Sequence, residues 1–176
     1  MEKLLPKGWV KTEFGAVNQR SVTKNIEPSN FPEERFELYS VPIFETSQPE
    51  IQLGKDIKSS KQLVDRGDVL VCKINPRINR VWVVGDYSKY RKIASSEWIV
   101  IGNELINSLF LKYQFQSRQF RTLLQSEVSG VGGSLTRARP KLVNAYPIFL
   151  PPLPEQERIV AKLDKLFAQY EKIKKA

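Results

Sequence analysis

Two stretches of this chain combine residue types that could grip an anion or the edge of a base. The first runs from the apolar segment Gly67-Asp-Val-Leu-Val-Cys-Lys-Ile74 through Asn75-Pro-Arg-Ile-Asn79 into Arg80-Val-Trp-Val-Val84. Two strand-forming runs around a short polar turn predict a β-hairpin, tipped by Lys73, Asn75, Arg77, Asn79 and Arg80. Arginine can hold guanine through two hydrogen bonds, asparagine can do the same with adenine, and either can hold phosphate. A hairpin bathed in solvent also carries such charges, to keep its edge soluble. The second stretch is Ser129-Gly-Val-Gly-Gly-Ser-Leu-Thr-Arg-Ala-Arg-Pro-Lys141. Its glycines let backbone approach a ligand closely, and Ser134, Thr136, Arg137, Arg139 and Lys141 add hydroxyls and cations. No Gly-Lys-Ser/Thr closes this loop, so it is not a nucleotide-binding P-loop. Its glycines follow a helical pattern, which also excludes a dinucleotide fingerprint.

Catalytic chemistry is poorly supplied. The chain has no histidine, which excludes histidine acid–base catalysis, histidine triads and histidine–metal sites. One cysteine, Cys72, can form neither a cysteine zinc site nor an intrachain disulfide, and a lone buried thiol suits a reducing cytoplasm. Asn75-Pro76-Arg77 lacks the second proline and the aromatic of an amino-methyltransferase motif, and no glycine fingerprint for S-adenosylmethionine is present. No cofactor is therefore expected. Glu50 followed by Asp56-Ile57-Lys58 comes nearest to a metal-dependent nuclease, and it defines one alternative reading. A basic RNA-binding module is the other.

Formal net charge is +9, and most of it is concentrated in the middle of the chain. Residues 71–150 hold twelve Lys and Arg against four Asp and Glu, whereas residues 1–70 hold ten against eleven. A concentrated positive field suits a polyanion, because each neutralised phosphate releases counterions. No apolar run approaches the ~18 residues of a membrane span, so no membrane partner is expected.

These loops need a framework, and 176 residues suffice for one domain with a real core. The reading begins with a strand over 5–10 and a helical turn over 13–17. A polar loop follows over 18–35, then a strand over 36–41 and an irregular stretch over 45–61. Beyond the hairpin lie a strand over 93–101, one or two helices over 108–127 and a last strand over 142–150. Arg118 and Arg121 on those helices suit a solvated face. The whole is an α/β (α+β) fold with a mixed sheet over 1–150. Residues 151–176 are a proline-rich approach to a helix of roughly 22 residues, about 33 Å long. Pro154 suits the first turn, with Glu155 and Glu157 at the positive end of the dipole and Lys172, Lys174 and Lys175 at the other. Ile159, Leu163, Leu166, Tyr170 and Ile173 make an apolar stripe, widened by Val160 and Phe167. Such a helix either docks on its own domain or pairs with another, and the prolines before it read as a spacer that sets it apart.

The run Pro147-Ile-Phe-Leu-Pro-Pro-Leu-Pro-Glu-Gln-Glu-Arg-Ile-Val-Ala-Lys-Leu-Asp164 resembles the end of a target recognition domain in the DNA specificity subunit of type I restriction–modification enzymes. The opening Leu5-Pro-Lys-Gly-Trp-Val10, the Gly67-Asp68 strand with its basic turn and the phrase Ala94-Ser-Ser-Glu-Trp-Ile-Val-Ile101 are similar too. So is the glycine- and arginine-rich loop. The resemblance implies a non-catalytic domain that reads one half of a bipartite site in double-stranded DNA. It implies a spacer helix that pairs antiparallel with a second such helix. It also implies methyltransferase (modification) subunits as partners and, through them, the restriction subunit. A full family member carries two recognition domains and two such helices, against one of each here. The sequence leaves open a truncated half and a natural half-subunit. Two copies pairing through the helix would give a two-fold dimer.

Overall fold

The computed structural model describes residues 5–20, 23–126, 128–129 and 137–175. In chain order the strands are β1 (Val10–Glu13), β2 (Asn25–Ile26), β3 (Arg35–Tyr39), β4 (Glu50–Leu53), β5 (Lys61–Leu63) and β6 (Val69–Cys72). They continue as β7 (Val81–Val83), β8 (Arg91–Ser95), β9 (Trp98–Ile101), β10 (Val128–Ser129), β11 (Arg137–Ala138) and β12 (Pro147–Leu150). The helices are α1 (Phe14–Val17), α2 (Ser108–Gln116), α3 (Arg118–Ser126), α4 (Pro140–Asn144) and α5 (Leu153–Lys175).

Period-two alternation decides the layering. A three-stranded antiparallel sheet, ordered β7-β6-β9, is apolar on both faces. Val69, Val71, Val81, Ile99 and Ile101 point to one side, where Phe110, Leu111 and Phe115 of α2 meet them with Phe120 and Leu124 of α3. Leu70, Cys72, Trp82, Trp98 and Val100 point to the other, into a second core with Tyr39 and Ala94. Those last two belong to a five-stranded sheet ordered β2-β5-β8-β3-β4, antiparallel except for the parallel pair β3/β8. Its far face buries Phe36, Leu38 and Ile93 with Ile26 and Ile57. The layers are thus helices, a small sheet, a larger mixed sheet and a covering of turns.

The two ends of the recognition body meet. β1 pairs antiparallel with β12, from Val10↔Leu150 to Glu13↔Pro147, and the Phe14 N–H donates to the Tyr146 carbonyl at 2.8 Å.

Several sequence expectations need correction. The apolar run 93–101 is not one strand. Glu97 N–H donates to Ser95 Oγ at 3.2 Å in a turn that ends β8, and β9 then joins the other sheet. The last strand does not begin at Leu142, because Pro140 opens a short helix and the strand starts only at Pro147. The stretches 18–35 and 45–61 hold β2 and β4, short strands that pair with β5 and with the preceding β3. At the start, Trp9 N–H donates to the Pro6 carbonyl at 3.0 Å in a turn, and the strand occupies Val10–Glu13.

Candidate nucleic-acid interface

β6 and β7 form the expected hairpin, closed by the Cys72 N–H donating to the Arg80 carbonyl at 3.0 Å. Its tip is a single 3-10 turn, Pro76–Ile78, set between Asn75 at φ 47° and Asn79 at φ 55°. Both are left-handed, a conformation asparagine tolerates better than other residues with a β-carbon. The two asparagines therefore shape the loop. Asn79 is buried, and its Nδ2 donates to the Phe115 carbonyl at the end of α2, at 2.8 Å. Its side chain points inward, away from any groove. Asn75 is half-buried, Arg80 lies half-buried beside Cys72, and Arg77 is fully on the surface.

The second loop arrives at the root of the first. β10 and β11 pair antiparallel, and Arg137 also bridges Ile74. The Ala138 N–H donates to the Lys73 carbonyl and the Lys73 N–H to the Glu97 carbonyl, both at 2.9 Å. A guanidinium nitrogen of Arg137 donates to Glu97 Oε1 at 2.8 Å. Burial pushes the half-buried Lys73 ammonium below its ordinary pKa, with Glu97 opposing and Arg137 adding to the shift. Glu97 thus neutralises part of the charge where the loops meet. Arg139 and Lys141 are exposed on the way into α4. Ser134 and Thr136 lie outside the described residues. Sequence-distant basic segments consequently share one end of the three-stranded sheet, with Arg77, Arg139 and Lys141 facing solvent.

The nuclease alternative finds little support in the geometry. Glu50 Oε2 accepts from Ser40 Oγ at 3.3 Å and from Gln52 Nε2 at 3.2 Å, while Asp56 sits in a separate turn, Gly54–Asp56. Among the described residues, no three His, Cys, Asp or Glu side chains group to hold a metal ion. No helix among them is long and apolar enough to cross a membrane.

Sequence reasoning missed a basic cleft of about 510 Å³ on the five-stranded sheet, lined in part by Arg20, Lys24, Arg66, Arg91 and Lys92. Arg91 and Lys92 are neighbours in sequence, but Lys24 and Arg66 lie in a stretch of balanced charge. The pairing of β2 with β5 and of β5 with β8 brings them together.

The first turns of α5 are docked on the body against α2, so the prolines do not hold that end of the helix away from it. Gln156 is buried, donating through Nε2 to the Pro151 carbonyl at 2.9 Å and accepting from the Asn107 N–H at 3.0 Å. Val160 enters the helical core with Ile159 packed beside it, and Leu163 is half-buried. The Tyr113 hydroxyl donates to Asp164, and its ring stacks on Phe167 with centroids 5.5 Å apart. The rest of the stripe is exposed, Leu166 by 47%, Phe167 by 51%, Tyr170 by 61% and Ile173 by 75%.

A family model for the type I restriction modification DNA specificity domain matches residues 58–176. The chain is similar to the type I restriction enzyme EcoAI specificity subunit of Escherichia coli, 25% identical over 173 residues, covering 93% of this chain and 29% of that protein. The crystal structure of the HsdS subunit from Thermoanaerobacter tengcongensis superposes with a TM-score of 0.83 at 24% identity, over 99% of this chain and 46% of that one. A second solved chain, from work on complex assembly and conformational transition of the type I R-M system, gives 0.82 at 24% identity, over 98% and 45%. This chain therefore spans less than half the length of each relative. Its fold, two-loop end and terminal helix accompany a family match over most of its length, and the chain belongs to the type I restriction modification DNA specificity domains.

Proposed function

We propose that this chain reads one half of a bipartite site in double-stranded DNA and brings type I methyltransferase subunits, and through them the restriction subunit, to that site. The observation that carries this reading is the meeting of the two basic loops at one end of the three-stranded sheet. Arg77, Arg80, Arg137, Arg139 and Lys141 supply the contacts, with Lys73 and Asn75 at the root of the hairpin. The protein carries out no catalytic step and works in the cytoplasm. The body, 1–150, reads the DNA. The helix over 151–176 offers Leu166, Tyr170 and Ile173 to a second helix of the same kind, from another copy or from a second half. Phe167, 51% exposed, extends that surface while stacking on Tyr113, and Ile159 and Leu163 continue the stripe toward the body.

The test combines the pure chain with DNA, then adds a type I modification subunit and S-adenosylmethionine. Methylation is expected only in the complete mixture, at a site the chain determines. Metal-dependent cutting by the chain alone, abolished in Asp56→Ala, would establish the nuclease instead. Tighter binding to RNA than to duplex DNA would establish the RNA module.

A further inference from the structure

We propose that the cleft lined by Arg20, Lys24, Arg66 and Lys92 is a second strip of phosphate contact, taking the DNA backbone where it runs on from the two loops. This proposal rests on the DNA-reading role above. The cleft's lining includes five cations and one carboxylate, Asp65, which is already paired with Arg20. Several cations are held in place from behind, by groups outside the lining. Glu34 grips Arg91 at 2.9 and 2.6 Å, Asp86 and the Ser88 carbonyl hold Lys92 at 3.3 and 3.2 Å, and Asp68 holds Arg20 at 3.1 Å. Those pairs spend part of the charge but fix its position. Lys24 and Arg66 carry the exposed remainder, Arg66 in a loose, solvent-exposed ion pair with Asp86 at 3.9 Å.

Continuity identifies the ligand as a polymer. A smaller hollow of about 120 Å³ has Arg20, Thr23, Lys73 and Pro140 in its lining. Arg20 and Thr23 also line the large cleft, so a cationic track runs from the root of both loops to Lys24 and Arg66. Gln19, Thr23 and Tyr90 place neutral hydrogen-bonding groups along it. Duplex DNA presents a regular line of phosphates to such a track. Side chains of this mixture, cations with hydroxyls and amides, are the usual donors to backbone phosphates.

The test measures binding of the whole chain to a mixed-sequence DNA duplex across a range of salt, for the parent and three double variants. In Lys24→Gln/Arg66→Gln the plot of log affinity against log salt should flatten by about two units, one for each lost phosphate contact. Lys24→Arg/Arg66→Lys should restore the parent slope, and melting curves should show all variants folded. An unchanged slope in the cleft variant, beside a flattened one in Arg77→Gln/Arg139→Gln, would overturn the cleft and leave the loop reading intact. Unchanged slopes in both, or no binding by the parent, would overturn both readings. Strong loss of binding to an acidic protein partner with DNA binding untouched would assign the cleft to that partner and overturn the proposal.

Discussion

Replacing Asn79 by alanine removes the amide that donates to the Phe115 carbonyl and leaves an ordinary residue at φ 55°. The loss of a buried hydrogen bond and the left-handed backbone should together cost about 1–3 kcal/mol, read as a lower urea midpoint. Arg77→Gln should do the reverse, leaving the midpoint alone and flattening the salt dependence of DNA binding by about one unit. A normal midpoint in Asn79→Ala would show that the amide does not hold the loop. Glu37 is fully buried, accepting from the Tyr39 hydroxyl at 2.7 Å and from Ser88 Oγ at 2.6 Å, and the Tyr39 hydroxyl in turn accepts from the Gly85 N–H at 3.0 Å. Tyr39→Phe strands two of these groups and should lose about 1–3 kcal/mol; an unchanged melting temperature would refute the network's role. The chemistry of the hairpin tip was legible in the sequence, because two strand-forming runs frame a basic turn. Which of its five side chains faces out was not, because that depends on two left-handed asparagines and on a carbonyl in α2.

At the scale of elements, α5 carries the sharpest lesson. Its existence and bounds could be read from three prolines and a regular apolar stripe, but the stripe looked like one seam and serves two surfaces. Gln156 and Val160 are buried on the body and Phe167 stacks on Tyr113 while 51% exposed, and Leu166, Tyr170 and Ile173 face solvent. Helical spacing cannot reveal that split, because the body that covers one side is assembled from elsewhere in the chain. Gln156→Ala should therefore destabilise the body by about 1–3 kcal/mol, since it leaves the Asn107 amide and the Pro151 carbonyl without their partner. Leu166→Glu with Ile173→Glu should leave the body folded and abolish self-association in sedimentation runs, removing any concentration dependence of melting. Self-association that survives the pair of glutamates would place the contact elsewhere. The run 93–101 failed as a single strand for a related reason. Apolar residues continue through it, and only the Ser95–Glu97 turn shows that it serves two sheets.

For the whole molecule, two copies joined antiparallel through α5 would carry identical reading domains related by a dyad. The helix spans about 34 Å over its 23 residues, close to one turn of B-DNA. The DNA site of such a dimer should be an interrupted palindrome, found by mapping methylation in the reconstituted mixture. An asymmetric site would show that the second reading domain differs from this one. The pairing of β1 with β12 bears on how this molecule comes into being. β1 has no other strand partner among the described residues, and Ile148 of β12 fills the same core as Phe14 just beyond β1. During synthesis, then, β1 must wait for β12. Closing so long a loop is entropically costly and slow, and until it happens the core around Phe14 stays open to chaperones or to other chains.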